Sequence, residues 1–239
     1  MQSIFKRYEN KYLITLEQGA ALQGFLPRHM EPDRFGEYLV QNLYYDTENW
    51  NVIRASIEKP LYKEKMRLRC YDMPKQEANV FLELKKKHMD IVYKRRIAIP
   101  FQSLSRRSVR DIVSGETSQI SRELDFYLRS NAVSEKVYIS YLRTAFSGTE
   151  DAGLRVTFDT DVRFRMDDLH FLRPGKGHCI LPQDKMLIEI KALGGMPLWM
   201  SRALSEYAIY PTAFSKFGVC YTGYIFGHSS EERTVRISA

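Results

Sequence analysis

Basic side chains occur two residues apart in several short, strand-like segments of this sequence. Because alternate residues of a β-strand point to the same side, each pair presents two positive charges on one face of its strand. Such pairs are suited to binding phosphate, since guanidinium groups match phosphate oxygens with two parallel hydrogen bonds. The clearest pairs are Arg67 with Arg69, Lys85 with Lys87, and Lys94 with Arg96, and Lys65 lies on the same face as Arg67 and Arg69.

Two further strand-like segments carry an arginine on a polar face. Arg143 shares its face with Tyr141, and Arg155 shares its face with Asp159, whereas Phe158 points to the other side. In several strands, therefore, one face is polar and cationic and the opposite face is apolar.

A carboxylate lies on one of these basic faces, where Glu189 and Lys191 alternate with apolar residues. Glu189 is suited to binding Mg²⁺, which commonly takes one or two carboxylates together with phosphate oxygens. It could instead form a salt bridge with a neighbouring lysine. The same two roles, metal ligand or partner of a cation, are open to Glu9 and Glu83.

The charge pattern fits two arrangements of the strands. An open antiparallel sheet would expose each basic face to solvent and cover the apolar face with helices. A closed sheet would instead enclose the basic faces, and because a dry interior penalises each buried ion by several kcal/mol, that lumen must hold water and an anion. A polyphosphate is suitable, since each charge-assisted contact contributes about 1.5–3 kcal/mol. The residues alone favour the two arrangements equally.

The elements that position these residues indicate an antiparallel α+β domain. Strands are predicted at residues 5–14, 38–45, 62–71, 80–87, 91–99, 137–146, 154–164, 185–192 and 218–226. Helices are predicted after a capping box at Thr15 and Gln18, after Asp46-Thr47, where Asp46 caps the helix, and at residues 103–113, 118–130 and 197–208. Residues 167–184 read as a long loop. We expect a single domain over residues 1–226 and a loose polar tail at 227–239.

Charge and cysteine content restrict the partners and the compartment. The 36 Lys and Arg residues exceed the 29 Asp and Glu residues, which favours an anionic partner. Three distant cysteines argue against a disulfide framework and against a zinc site. No apolar run approaches the roughly 18 residues of a membrane span, so a cytoplasmic protein is expected. The absence of Walker-type, G-x-S-x-G and H-E-x-x-H motifs argues against a P-loop kinase, a serine hydrolase and a zincin.

Eight motifs follow one another in the order found in VTC-type domains. They are RYENKYLI (7–14), LYYDT (43–47), KMRLRCY (65–71), FLELKKK (81–87), YLRTAF (141–146), LRVTFDT (154–160), LIEIKA (187–192) and FSKFGVCY (214–221). Over residues 5–221 the sequence therefore resembles the polyphosphate polymerase branch of the CYTH-like, or triphosphate tunnel metalloenzyme, superfamily. This resemblance implies a closed eight-stranded antiparallel β-barrel whose interior forms a tunnel, with helices packed outside.

The resemblance also implies roles for individual residues. In the family, basic side chains bind a nucleoside triphosphate and the growing phosphate chain, and a carboxylate holds a divalent metal, here Mn²⁺ or Mg²⁺. The implied catalytic residues are Arg67, Arg69, Arg143, Arg155 and Glu189. The implied substrate-binding residues are Lys11, Lys85, Lys94, Arg96, Lys191 and Lys216. The implied metal ligands are Glu189 and Glu9.

One departure from the superfamily pattern concerns the reaction. Hydrolytic and cyclase members begin with a Glu-x-Glu-x-Lys strand, whereas this chain has Arg7, Glu9 and Lys11. Hydrolysis needs a group that orients water, while chain extension uses an anionic phosphate as nucleophile, so the departure favours transfer of the ATP γ-phosphate onto polyphosphate.

Three alternatives to the polymerase remain open. They are an inorganic triphosphatase of the same fold, a non-catalytic module that binds polyphosphate or triphosphate, and a nucleic-acid-binding protein. The last is disfavoured because aromatic residues do not interleave with the basic ones, as a base-stacking platform requires. By resemblance, the protein would act at the inner face of a membrane through a separate membrane-protein partner.

Overall fold

The computed structural model describes residues 7–89 and 91–226, whose strands form one antiparallel sheet. The predicted tail at 227–239 lies outside the described residues. The strands are β1 Arg7–Thr15, β2 Met30–Asp46, β3 Tyr62–Tyr71, β4 Asn79–His88, β5 Ile91–Pro100, β6 Ser134–Gly148, β7 Arg155–Arg165, β8 His178–Cys179 and β9 Lys185–Leu193. The α-helices are α1 Leu16–Phe25, α2 Asn51–Ile57, α3 Val109–Ser114, α4 Gln119–Asn131, α5 Leu198–Glu206 and α6 Lys216–Cys220. Short 3₁₀ turns lie at Leu26–Arg28 and Phe101–Ser105, and a π-helical turn lies at Tyr221–Ile225.

The predicted closed barrel is wrong, because the sheet is open. Its strand order is β1-β9-β7-β6-β2-β3-β4-β5, with β8 added to β7, and in the described chain no ladder joins β1 to β5. The sheet nevertheless curves until Glu9 of β1 contacts Lys85 of β4, with 3.4 Å between Oε2 and Nζ. This contact joins two long side chains that point inward. The contact therefore holds β1 near β4 through side chains, and the two backbones need not come as close as the roughly 4.8 Å between paired strands.

Strand register brings the basic residues to the inner face of the curved sheet. Arg67 of β3 pairs with Glu83 of β4, and Lys65 pairs with Lys85. On the opposite wall, Lys11 of β1 pairs with Glu189 of β9. Because directly paired residues point to the same side, these charges all face the interior. The predicted alternation of basic and apolar faces is confirmed in these strands.

Two apolar clusters cover the outer face of the sheet. The first lies under α1 and α5, the second under α3 and α4. In the second, Leu68, Leu82 and Leu84 of the strands pack with Leu124 and Tyr127 of α4. These helices lie outside the sheet, as expected from the resemblance.

The third apolar cluster lies on the inner face, which corrects the expectation that helices pack only outside. Val40 and Tyr44 share an inner strand face, and both pack in a cluster with Phe217 of α6 and Ile53 of α2. The rings of Tyr44 and Phe217 are stacked with centroids 5.0 Å apart. Helix α6 therefore enters one end of the interior and closes it with apolar side chains.

The strand predicted at 218–226 is wrong, since this segment is α6 followed by the π-helical turn. The Ser215 hydroxyl accepts a hydrogen bond from Gly218 N at 3.2 Å and caps the helix. Phe217, Cys220 and Tyr221 are buried at helical spacing. Burial against the inner cluster outweighs the β-propensity of the aromatic and β-branched residues in this segment.

Other boundaries differ from the prediction because of contacts distant in sequence. Strand β2 begins at Met30 instead of residue 38, since its first half pairs with β6 on the far side of an irregularity between Pro32 and Glu37. The helix predicted at 103–113 is divided into a 3₁₀ turn and α3. The loop predicted at 167–184 is confirmed except for β8.

Two predicted helix caps are confirmed. Thr15 Oγ1 accepts from Gln18 N at 3.1 Å, and Gln18 Oε1 accepts from Thr15 N at 3.0 Å, which completes the capping box of α1. The buried Asp46 is the last residue of β2 and caps α2, which begins at Asn51. Its carboxylate accepts hydrogen bonds from the backbone N–H groups of residues 47, 52 and 53 at 2.8–2.9 Å.

None of the helices in the described ranges is long and apolar enough to cross a membrane. The cysteines are free thiols, with Cys70 and Cys220 buried and Cys179 exposed.

We expect Asp46→Ala to lower the free energy of unfolding by roughly 2–3 kcal/mol, because it leaves three backbone N–H groups without their acceptor. Urea denaturation measures the change. The matched control is Asp151→Ala, the same chemical change at a carboxylate that accepts from one backbone N–H, that of Gly153, and it is expected to cost about 1 kcal/mol or less. Equal costs for the two variants would contradict this role of Asp46.

Candidate anion-binding site

A cavity of about 560 Å³ occupies the inner face of the sheet. It is walled by β1, β2, β3, β4, β6 and β9 and by α2 and α6. Its cationic residues are Lys11, Lys59, Lys63, Lys65, Arg67, Arg69, Lys85, Lys87, Arg143, Lys191 and Lys216, and its carboxylates are Glu9, Glu64 and Glu189. A concave surface with eleven cations and three carboxylates concentrates a positive potential. The cavity is therefore suited to an anionic ligand.

Most residues predicted for the site line this cavity. They are Lys11, Arg67, Arg69, Lys85, Arg143, Glu189, Lys191, Lys216 and Glu9. The structure thus brings together residues from β1, β3, β4, β6, β9 and α6 that are up to 207 positions apart, from Glu9 to Lys216.

Three predicted site residues lie outside the cavity lining. Lys94 and Arg96 on the edge strand β5 both bond Glu83 Oε1, at 2.7 Å and 2.5 Å. Arg155 bonds Asp33 at 3.0 Å, and its side chain is 44 % exposed. Their predicted roles stay predictions.

Glu83 forms salt bridges with three cations at one side of the cavity. Its buried carboxylate bonds Arg67 Nη2 at 2.7 Å in addition to Lys94 and Arg96. Burial alone would raise the pKa of this carboxyl, but Arg67, Arg69 and Lys94 outweigh burial and hold the pKa far below its usual value. Of the two roles open to Glu83, the structure shows it as a partner of cations.

Arg69 is held in the cavity wall by neutral groups. Its Nε donates to Asn42 Oδ1 at 2.9 Å, and its Nη2 donates to the Tyr141 hydroxyl at 3.3 Å. Burial would raise the pKa of the Tyr141 phenol, but the charges of Arg143, Arg69 and Lys216 outweigh it and lower the pKa. Neither partner carries the opposite charge, so Arg69 retains its attraction for an anion.

Asp159 holds two cavity cations from below. It is fully buried, and its oxygens accept from Arg143 Nε at 2.6 Å and Nη2 at 2.8 Å and from Lys216 Nζ at 2.5 Å. Burial would raise its pKa, but Arg143 and Lys216 outweigh burial and lower it. Asp159 is not among the predicted site residues, and the signal that could reveal it is its alternation with Arg155 on a basic face.

Glu189 is an ionised carboxylate that faces the cavity. It lies 2.5 Å from Lys191, and although burial would raise its pKa, Lys191, Lys11 and Arg143 hold the pKa well below its usual value. Glu9, on the neighbouring strand, contacts Lys85 at 3.4 Å and Lys11 at 3.9 Å. Within residues 7–89 and 91–226, no three His, Cys, Asp or Glu residues are grouped to hold a metal ion.

Lys65 was placed on the basic face of β3 by the sequence but was given no role. Its Nζ lies 3.4 Å from Ser215 Oγ, and 5.9 Å and 5.7 Å from the ring centroids of Tyr44 and Phe217. Burial, followed by the charges of the neighbouring cations, lowers the pKa of Lys65 to about 7. Sequence alternation could reveal its face but not its depth, because depth depends on α6.

We expect Asp159→Asn to lower the free energy of unfolding by about 3–5 kcal/mol, because Arg143 and Lys216 would lose their buried counter-charge. Tripolyphosphate should then raise the melting temperature of this variant more than that of the wild type, since the two released cations become available to phosphate.

Denaturant unfolding and thermal melts with and without tripolyphosphate measure both effects. The control is Asp33→Asn, which removes the carboxylate partner of the half-exposed Arg155 and should cost about 1 kcal/mol or less. A cost for Asp159→Asn as small as that of the control would refute the assigned role of Asp159.

The fold is shared with solved structures of low sequence identity. A putative adenylyl cyclase from Hippeastrum, described as having a dominant triphosphatase activity, is 19 % identical with a TM-score of 0.55, over 90 % of this chain and 95 % of that chain. A putative adenylate cyclase from Bacillus halodurans is 15 % identical with a TM-score of 0.50, over 88 % of this chain and 95 % of that chain. At these identities the likeness shows the fold alone.

Comparison at the sequence level gives the family. Among curated proteins, none matches the sequence significantly. The family model of the VTC domain matches residues 6–224, which confirms the resemblance predicted from the eight motifs. The chain belongs to the VTC domain family.

Proposed function

We propose that this protein binds ATP and polyphosphate in the basic cavity and transfers the γ-phosphoryl group of ATP onto the end of the chain, with Mn²⁺ or Mg²⁺ as cofactor. The observation that carries the proposal is the convergence of eleven cations and three carboxylates on one cavity. Membership of the VTC family supports a phosphotransferase or triphosphatase that acts on triphosphate or polyphosphate.

The cavity suits a phosphate chain in size and charge. Its volume of about 560 Å³ lies within the usual range for small-molecule sites, about 300–1,000 Å³. Arg143 and Lys216 share the charge of Asp159, and Arg67 shares that of Glu83. Arg69 bonds only neutral groups. A linear polyanion would supply the missing negative charge.

Phosphoryl transfer depends mainly on positioning and on stabilising the charge of the equatorial oxygens. Arg67, Arg69 and Arg143 fit this role, because buried partners fix their guanidinium groups before the ligand arrives. Preorganised donors of this kind need no rearrangement at the moment of reaction. We assign the neutralisation of the donor and of the growing chain to Lys11, Lys85, Lys191 and Lys216.

Glu189 and Glu9 fit a divalent metal ion. Glu189 is ionised, both residues line the cavity, and they lie on paired strands. Mg²⁺ often binds through one or two carboxylates and takes its other ligands from phosphate and water, so two carboxylates suffice. A bound metal would neutralise phosphate charge and orient the donor.

The proposal also includes the three predicted site residues outside the cavity lining, which are Lys94, Arg96 and Arg155. Lys94 pairs with Lys85 and Arg96 pairs with Glu83 in the β4–β5 ladder, so both side chains point to the inner side beyond the cavity lining. Arg155 pairs with Lys191 in the β7–β9 ladder, so its side chain also lies on the inner side of the sheet. We assign these three residues to phosphates of a long chain that extends out of the cavity. A cytoplasmic location and a separate membrane-protein partner stay predictions.

A triphosphatase is the second candidate, and the activity described for the Hippeastrum protein favours it. Transfer is preferred here because Arg7 stands in β1 where the hydrolytic members have a carboxylate. A cavity that lacks this carboxylate has one group fewer to orient water, whereas an acceptor phosphate is already an anionic nucleophile.

The test is incubation of purified protein with ATP and Mn²⁺ or Mg²⁺, with the products resolved on a gel stained for polyphosphate. We expect chains from the wild type and a loss on the order of 100-fold or more in Glu189→Gln. The matched control is Glu31→Gln, the same chemical change at an exposed position of β2, which should retain full activity.

Other products would contradict parts of the proposal. Free phosphate without chains would exclude the polymerase and support the triphosphatase. Salt-sensitive binding of polyphosphate without turnover would leave a binding module. Failure to bind triphosphate or polyphosphate at all would refute the assignment of the cavity.

A further inference from the structure

Within the described part of the chain, Lys65 has no negatively charged partner, in contrast to three other cations of the cavity. Lys85 bonds Glu9, Arg67 bonds Glu83 and Lys216 bonds Asp159. Among the residues that the structure describes, no carboxylate forms a salt bridge with Lys65, and its hydrogen-bond partner is the neutral Ser215 hydroxyl at 3.4 Å. The ammonium group is therefore half-buried in the cavity without compensation.

The groups that face Lys65 are mostly positive. They come from its own strand, from β1, β2 and β4, and from α6. The titratable and charged ones are Lys63, Arg67, Lys11, Lys85, Tyr44 and Cys220. Four of these are cations, and the ring centroid of Phe217 of α6 lies 5.7 Å from the Lys65 ammonium. These surroundings disfavour a positive charge at Lys65.

The consequence is a lysine that titrates near neutral pH. Burial and then the charges of Lys11, Lys85 and Arg67 lower its pKa to about 7. A phosphate group beside it would act in the opposite direction, because a nearby negative charge favours the ammonium form and raises the pKa. Ligand binding and protonation of Lys65 must then favour each other.

We propose that Lys65 is a phosphate-binding residue that takes up a proton when the chain enters the cavity, so that binding of triphosphate or polyphosphate is coupled to proton uptake. This inference rests on the proposed function, since it requires that the cavity bind phosphate. It adds a residue to the site and makes affinity depend on pH.

The sign of the effect follows from the direction of titration. At about pH 6 most Lys65 side chains are already protonated, so binding takes up little proton at this residue. Above pH 7 the free protein has lost the proton and binding must restore it. Lys65 therefore weakens binding as pH rises, by at most about tenfold per pH unit.

Isothermal titration calorimetry tests the coupling directly. Tripolyphosphate is titrated into the metal-free protein at pH 6 and pH 8, in buffers of different ionisation enthalpy, and the slope of the observed enthalpy gives the protons taken up. The decisive variant is Lys65→Arg, because arginine keeps the charge and does not deprotonate in this range. Protonation changes of the ligand and of other cavity groups largely cancel in the difference between the two proteins.

We expect the wild type to take up nearly one proton more than Lys65→Arg at pH 8 and no more than it at pH 6. Lys65→Met should bind more weakly than the wild type at pH 6, and this deficit should shrink at pH 8. Lys75→Arg, the same change at an exposed position, should behave as the wild type.

Equal proton uptake by the wild type and Lys65→Arg at pH 8 would overturn the inference and leave the proposed function intact. Absence of tripolyphosphate binding by the wild type would overturn both. If Lys65→Arg does not fold, an NMR titration of the wild type takes its place. It follows the ¹³Cε signal of Lys65, which is assigned by its loss in Lys65→Met. The midpoint of its titration must move to higher pH when tripolyphosphate is added, and an unchanged midpoint would overturn the inference.

Discussion

Repulsion between like charges is the constraint on which the interior of this protein depends. Each ion withdrawn from water costs several kcal/mol unless it is paired, and the cavity wall holds far more cations than carboxylates. Glu83 and Asp159 reduce this cost by bonding Arg67, Arg143 and Lys216 from the wall side. Because these carboxylates lie beneath the guanidinium and ammonium groups, they stabilise the protein and leave the positive groups facing the cavity. Lys65 and Arg69 hydrogen-bond to neutral groups, so their positive charges attract an anion to the site.

The open sheet fits the same constraint. A ladder between β1 and β5 would bring further positive strands side by side, whereas in the described residues Glu9 of β1 reaches Lys85 of β4 through an ion pair of side chains. Helix α6 closes the interior with apolar residues at one end and positions Lys216 and the Ser215 hydroxyl beside the basic stripe of β3. The helix that closes the interior therefore also contributes to the burial that lowers the pKa of Lys65. Packing of α6, the charge state of Lys65 and the affinity of the cavity for an anion therefore depend on one another.

Local pattern predicted much of this arrangement, and long-range contact decided the rest. The period of two along β3 correctly placed Lys65, Arg67 and Arg69 on one face, because alternation depends only on strand geometry. The segment at 218–226 was predicted as a strand, since propensity alone does not reveal the inner cluster that folds it into a helix. The position of Arg155 outside the cavity lining and the ion pairs of Asp159 could not be predicted either, because each depends on a partner distant in sequence, Asp33 and Lys216. Closure of the barrel came from resemblance, and the pairing of the strands in this chain does not provide it.

The most direct test of the account is a crystal structure of the protein with tripolyphosphate and Mn²⁺, in which anomalous scattering locates the metal. The account predicts phosphate oxygens within hydrogen-bond distance, about 2.7–3.2 Å, of Arg69 and Lys65, and Mn²⁺ bound by Glu189 and phosphate. Phosphate bound only outside the sheet, or a metal held away from Glu189 while the cavity contains water alone, would contradict the central claim that the basic interior is the ligand site.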